Sequence, residues 1–206
     1  MTNPAPPTPA RHRPALRQTL RQVLRQILQT LALCAIALLA ANAWHTRHLP
    51  AGQAPALAGP LIGALPANLP EPLPASASAA SAAQPPTLTL AQWRAAHPGR
   101  PVALHFWADW CGICRLEQPA ISALMADTPV LTIATRSGPP PALAQTLAKR
   151  QLNWPAIVDE RGDIARAWGI ASLPTFIVID PQGRISSASS GYTPALMMKL
   201  RLWWAS

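Results

Sequence analysis

Acidic residues are scarce in this chain. Eight Asp and Glu stand against seventeen Lys and Arg in 206 residues, and none precedes Glu71. Charged residues of both signs make up only 12%, about half the share of an average globular protein. That argues against a fully disordered chain and against a highly charged nucleic-acid binder. Cysteine is also sparse, at three, which excludes a mini-fold stapled by several disulfides. Tyr occurs once and Phe twice, while Trp occurs eight times. No histidine follows His105, there is no second Cys-x-x-Cys, and no internal repeat is visible.

What is abundant is unevenly placed. Of 25 prolines, five fall in residues 1–14, nine in 50–86 and eleven in 87–206. One fold running end to end does not fit that distribution. The net charge of +9 is also local, since residues 1–48 hold six Arg and no acid. Arg beside an apolar run is a topology signal before it is a nucleic-acid signal. Residues 26–44 carry no charge, and a helix of that length approaches the ~30 Å hydrocarbon core of a bilayer. Residues 1–25 therefore read as a basic cytoplasmic segment and 26–44 as a transmembrane anchor, with everything after Trp44 exported. Leu16, Leu20, Val23, Leu24, Ile27 and Leu28 extend the apolar stripe upstream, as one long helix would. A cleaved signal peptide is the rival, because Ala41-Asn42-Ala43 fits a small-x-small cleavage site. Cys34, within the span, reads as an apolar filler. Residues 45–86, rich in Pro and Ala, read as an extended linker without packing.

Residues 87–206 alternate between strand and helix patterns. Strands are expected at 87–89, 102–107, 130–134, 156–159, 175–180 and 184–189. Helices are expected at 90–96, 111–125, 142–150, 163–168 and 194–204, with Asp163 and Thr193 as caps and Pro119 as a kink or break. Alternation of this kind implies an α/β domain, and the closing strand–turn–strand implies a mixed sheet. Trp93, Trp154 and Trp168 are core candidates, and Trp203 and Trp204 are expected to pack the last helix, with exposure of one of them as the alternative.

Cys111-Gly-Ile-Cys114 falls between a strand and a helix. At a helix N-terminus, free N–H groups and the dipole favour thiolate over thiol, so Cys111 is the candidate nucleophile. Cys114 follows one turn later, within bridging distance, and is the candidate resolving thiol. A zinc site would need a second ligand pair. A structural disulfide would close too short a loop to constrain the unfolded chain much.

Phe106-Trp-Ala-Asp-Trp-Cys-Gly-Ile-Cys-Arg115 resembles the active-site segment of the thioredoxin superfamily. Trp168-Gly-Ile-Ala-Ser-Leu-Pro-Thr-Phe-Ile-Val-Ile-Asp-Pro-Gln-Gly183 resembles its second signature, in which a cis-proline begins a strand. The resemblance spans 87–206 and implies a thioredoxin fold, a mixed central sheet flanked by helices. It also implies that Pro174 is the cis-proline and that Leu173 and Trp110 meet substrate. Cys111 through Pro119 is similar to membrane-anchored TlpA/ResA-type reductases. Residues 190–204 are more like ScsD-type proteins of copper-sensitivity suppression. Glu117 matches a glutamate that TlpA/ResA-type proteins place near the cysteines, and a proton-relay role follows for it. A helix sets Glu117 on the face neighbouring Cys114. There are two departures. Ile113 replaces the family's Pro, and His105 replaces a buried Asp, as a core histidine or a second relay group.

The resemblance implies a periplasmic protein-disulfide oxidoreductase with no cofactor and no metal, held at the inner membrane. The substrates this likeness implies are protein disulfides, in cytochrome c maturation or copper handling. Its electron donor would be a DsbD-, CcdA- or ScsB-like transmembrane protein. The alternative is a thioredoxin-fold copper metallochaperone, although Sco-type carriers use Cys-x₃-Cys and a distant His. A non-catalytic tether is a third reading.

Overall fold

The computed structural model describes residues 13–49, 51–63 and 85–206. These residues form two compact units, one ending at Trp44 and the other running from His45 to Ser206.

Helix α1 (Arg13–Thr46) is one uninterrupted helix. Its sequence after Pro14 is Leu-, Ala-, Gln- and Arg-rich, all strong helix formers. Arg21–Trp44 is long and apolar enough to cross a membrane, with a mean hydropathy of 1.9 and no buried side chains. The extension upstream of residue 26 is therefore helical as expected. The Ala41-Asn42-Ala43 stretch continues the helix.

The second unit is a seven-stranded mixed sheet with helices on both faces. Its strands are β1 (Ala58–Ile62), β2 (Thr87–Thr89), β3 (Val102–Trp107), β4 (Val130–Thr135), β5 (Ala156–Asp159), β6 (Thr175–Ile179) and β7 (Ile185–Ser190). The spatial order is β2-β1-β5-β4-β3-β6-β7. β3, β4 and β5 run parallel, and β6, β7, β1 and β2 are added antiparallel. The helices are α2 (Leu90–Ala95), α3 (Gly112–Leu124), α4 (Pro140–Lys149), α5 (Asp163–Ala167) and α6 (Ala195–Trp204).

Strand alternation divides the core. In β3, Val102, Leu104 and Phe106 enter one apolar cluster with Leu61, Leu88, Trp93 and Trp168. Ala103 and Trp107 enter the other with Cys111, Cys114, Trp154, Met198 and Leu202. Period two then assigns His105 to the face of Ala103 and Trp107. Its ring lies edge-on to Trp154, at a centroid distance of 6.0 Å.

Three expectations need correction. Residues 45–86 are not an unpacked linker throughout. Leu57 and Leu61 are buried, and β1 pairs with both β2 and β5. Upstream, Ala54 N–H donates to the Gly183 carbonyl and Ile185 N–H to the Gly52 carbonyl. Ala-Gly-Pro-Leu-Ile reads as loop because Gly and Pro weaken a strand pattern. Gly59 is nevertheless required by packing, since a Cβ there would come 2.5 Å from Ile157 Cγ2. Residues 64–84 of that expected linker lie outside the described residues.

The second correction is the start of α5. Asp163 does not cap it; the capping acceptor is Asp159, whose carboxylate takes the N–H groups of Ile164 and Ala165 at 3.0 Å each. The third is the start of α6, where Pro194 occupies the cap position without a side-chain bond. Thr193 instead bonds through its hydroxyl to Ser189 and to the Gly191 carbonyl. Smaller shifts affect α4, which begins at Pro140, and β7, which spans 185–190.

Candidate active site

Cys111 caps α3. Its backbone is extended, at φ −76° and ψ 111°, so it stands at the helix mouth rather than within it. Cys114 lies one turn on, and the two are joined by a disulfide with their Cα atoms 5.2 Å apart. Cys114 is 1% exposed and Cys111 8%, while Trp110 beside them is 61% exposed. The chain thus passes from solvent to core within five residues. Pro119 lies inside α3 without ending it.

The buried face of α3 is formed by Cys114, Glu117, Ile121 and Leu124. Their spacing of three, four and three residues is a single helical stripe. Glu117 therefore shares the buried face of Cys114 rather than a neighbouring one. It is 1% exposed. Its Oε1 accepts the Thr193 backbone N–H, and its Oε2 lies 3.9 Å from His105 Nδ1. That separation is too long for a hydrogen bond. Burial pushes the Glu117 carboxyl up to about 7, against the opposing effect of the Thr193 N–H. Burial lowers the His105 imidazole to about 3. Near neutral pH the imidazole is uncharged, and the carboxyl is divided between its acid and carboxylate forms. A carboxyl poised near the working pH is suited to giving and taking protons.

A cavity of about 220 Å³ opens beside the disulfide, lined by Trp110, Cys111 and Leu173 among others. The Leu173–Pro174 peptide bond is cis, and Pro174 is buried at the start of β6. The structure thus brings Trp110, Cys111 and Leu173 to one opening, and gathers Cys114, Glu117 and His105 on the core side. A larger cavity of about 450 Å³, lined by Arg100, Lys199 and Trp203, contains neither cysteine.

Two contributors escape the sequence reading. Thr193, 76 residues from Glu117, supplies the N–H that holds its carboxyl. Arg136 follows β4, and its carbonyl accepts the Trp110 indole N–H at 3.0 Å, fixing that exposed ring. Neither carries a local signal, because each partnership joins distant segments of chain.

Residues 75–188, more than half of the sequence, match the model of the AhpC/TSA family. The chain belongs to the AhpC/TSA family. It is similar to a thioredoxin-like protein of Haemophilus influenzae, 32% identical over 107 residues, which cover 52% of this chain and 64% of that protein. It is also similar to the thiol-disulfide oxidoreductase ResA of Geobacillus thermodenitrificans, 30% identical over 97 residues, which cover 45% of this chain and 56% of that one. The matches thus span between about half and two thirds of these curated relatives. Among solved structures, one described as a thiol:disulfide interchange protein DsbE from Chlorobium tepidum aligns with a TM-score of 0.57 and 22% identity. The alignment covers 76% of this chain and 98% of that one. At that identity the likeness shows the fold, which is thioredoxin-like, as the two sequence motifs implied.

Proposed function

We propose that this chain is a membrane-anchored thiol–disulfide oxidoreductase that reduces protein disulfides through Cys111 and Cys114. The supporting observation is the asymmetry of the pair. Cys111 caps α3 and lines the open cavity, while Cys114 is sealed against Glu117 and the core. The names of the ResA and DsbE relatives agree with that chemistry.

In the reduced protein, the Cys111 thiolate attacks one sulfur of a substrate disulfide. A mixed disulfide forms, and the other substrate sulfur leaves as a thiolate. The Cys114 thiol gives up its proton and attacks Cys111 Sγ, forming the intramolecular disulfide and releasing the second substrate sulfur. Two electrons pass to the substrate, and two protons complete its thiols. Glu117, in its carboxylate form, is the group placed to take the Cys114 proton, with His105 as its uncharged neighbour. Leu173, before Pro174, offers its backbone to an extended substrate segment, and Trp110 covers it.

Helix α1 serves as the anchor, with the arginine-rich end cytoplasmic and residues 45–206 on the far side. The bacterial periplasm is held oxidising, so a reductase there is recharged by a transmembrane donor of DsbD, CcdA or ScsB type. Substrates of cytochrome c maturation or copper handling fit this placement.

The test is trapping. Full-length protein with Cys114→Ser is expected to accumulate mixed disulfides with protein substrates. Cys111→Ser is expected to accumulate none, and both should lose reduction of insulin disulfides. Mixed disulfides on Cys114 with Cys111 replaced would overturn the assignment.

A further inference from the structure

The cavity beside Cys111 is lined by two arginines, Arg136 and Arg166, and by no Asp or Glu. The two arginines differ. Arg166 is engaged by the Asp163 carboxylate. Among the described residues no carboxylate lies within ion-pair distance of Arg136. The nearby Asp159 is committed, bonding to two α5 N–H groups and to the Thr135 hydroxyl.

Arg136 is also held in place. Its φ of 50° is in the left-handed region, which few non-glycine residues adopt and which tends to mark functional sites. Its N–H donates to the Asp159 carbonyl at 2.8 Å, and its carbonyl accepts from Trp110. Both backbone polar groups are thereby used. The side chain lies across Gly162, where a Cβ would come 2.8 Å from Arg136 Nε. Glycine at 162, at φ 76°, leaves that path open. Ala165, Ile170, Ala171 and Leu173 give the lining apolar surface beside the arginines, with Thr135 and Ser172 as its hydroxyl residues. Such a site takes a side chain with an apolar stem and an acidic head.

We propose that this cavity selects substrate segments bearing an acidic side chain next to the target cysteine, and that the Arg136 guanidinium reads it. The proposal rests on the oxidoreductase reading above. The carboxylate docks on the guanidinium, with a bidentate pairing available, while Cys111 addresses the adjacent disulfide. The sulfur chemistry is unchanged; Arg136 acts on encounter and orientation.

The experiment uses reduced full-length protein in detergent micelles. The substrates are synthetic cystine peptides identical except for one residue beside the cystine: Glu, Gln or Lys. Reduction of the Glu peptide should exceed that of the Gln peptide in kcat/KM by about fivefold, as an exposed ion pair allows, with Lys slowest. The preference should shrink at high salt. Arg136→Gln should bring the Glu-to-Gln ratio to near one, and Arg136→Lys should keep part of it. Equal rates for Glu and Gln in the unaltered protein, or an unchanged ratio in R136Q, would overturn the proposal. Should R136Q fail to fold, the salt series decides alone: a ratio that does not shrink overturns it. If the unaltered protein reduces neither the peptides nor insulin, the oxidoreductase reading itself fails, an outcome distinct from reduction without preference.

Discussion

The two faces of the sheet are packed with different materials. One is closed by an apolar cluster that includes Leu57, Leu61, Leu88, Trp93, Phe106 and Trp168, and the buried Asp159 beside it is satisfied by two α5 N–H groups. The other also holds an apolar cluster, with the bonded pair Cys111 and Cys114 in it, and beside it lie two fully buried titratable groups, His105 and Glu117. Burying such groups with few partners costs stability. His105 makes no hydrogen bond through either ring nitrogen, and Glu117 Oε2 makes none. These two titratable groups sit on the face that carries the cysteines, and the sealed face contributes compensating apolar burial. β1 and β2 belong to that compensation, since Leu61 and Leu88 come from them.

The largest effect on stability should come from the sealed face. Leu61 is 3% exposed, and Leu61→Ala deletes a buried side chain, costing about 2–5 kcal/mol. Denaturant unfolding of the full-length protein in micelles measures it. The pH profile of thiol–disulfide exchange should keep its shape, because Leu61 has no part in the sulfur chemistry. A shifted profile would show that the two faces are energetically coupled, and the comparison would break.

The buried pair predicts an effect of about 3 kcal/mol, from a carboxyl raised from 4.5 to about 7. Folding favours protonated Glu117, so its contribution is full below pH 4.5 and is lost as pH rises through 7. His105, lowered from 6.5 to about 3, contributes in the opposite direction. Folding favours its neutral form, so that stability is full above pH 6.5 and lost as pH falls through 3. Between pH 4.5 and 6.5 the two slopes oppose each other. Glu117→Gln removes the carboxyl slope, so stability relative to the unaltered protein should climb from pH 4.5 to 7. His105→Asn removes the histidine slope, so stability relative to the unaltered protein should fall from pH 3 to 6.5. Unfolding free energies measured across that range check both signs. Parallel curves for all three proteins would remove the titration assigned to the pair.

Much of this site is written locally. Cys-x-x-Cys after a buried strand, Leu173-Pro174 before another, and the α/β alternation each lie within a few residues of chain, where helix and strand periods act. The place of Glu117 was legible too, because Cys114, Glu117, Ile121 and Leu124 follow one helical stripe. His105 follows from the alternation of β3. The rest depends on distant partners. β1 is a strand because β5 and β2 flank it, although Gly59 and Pro60 read as loop. Asp159 outcompetes Asp163 as the α5 cap because the turn at Gly162 folds it back onto the helix. Thr193 reads as a cap in sequence, yet its N–H is turned to Glu117 across the fold. Arg136 has no local mark at all, and only the position of Trp110 and Gly162 makes it part of the cavity.

The smallest effect tests whether the sealed face is separate from the chemistry. Thr89 precedes α2, and its hydroxyl accepts the Gln92 N–H at 3.1 Å while Gln92 Oε1 accepts the Thr89 N–H at 2.9 Å. This reciprocal cap satisfies two N–H groups of a six-residue helix. α2 presents Leu90 and Trp93 to the sealed cluster, so the cap positions a large aromatic as well as ending a helix. Thr89→Ala leaves the Gln92 N–H without its acceptor, and the expected loss is about 1 kcal/mol. Thr89→Ser keeps the hydroxyl and should recover most of it. Since α2 supplies no residue to the cysteine cavity, the rate of insulin reduction below the unfolding transition should match that of the unaltered protein. A slower rate in Thr89→Ala, restored in Thr89→Ser, would mean that the packing of Trp93 reaches through β3 to the cysteines, and that the faces are one cooperative core.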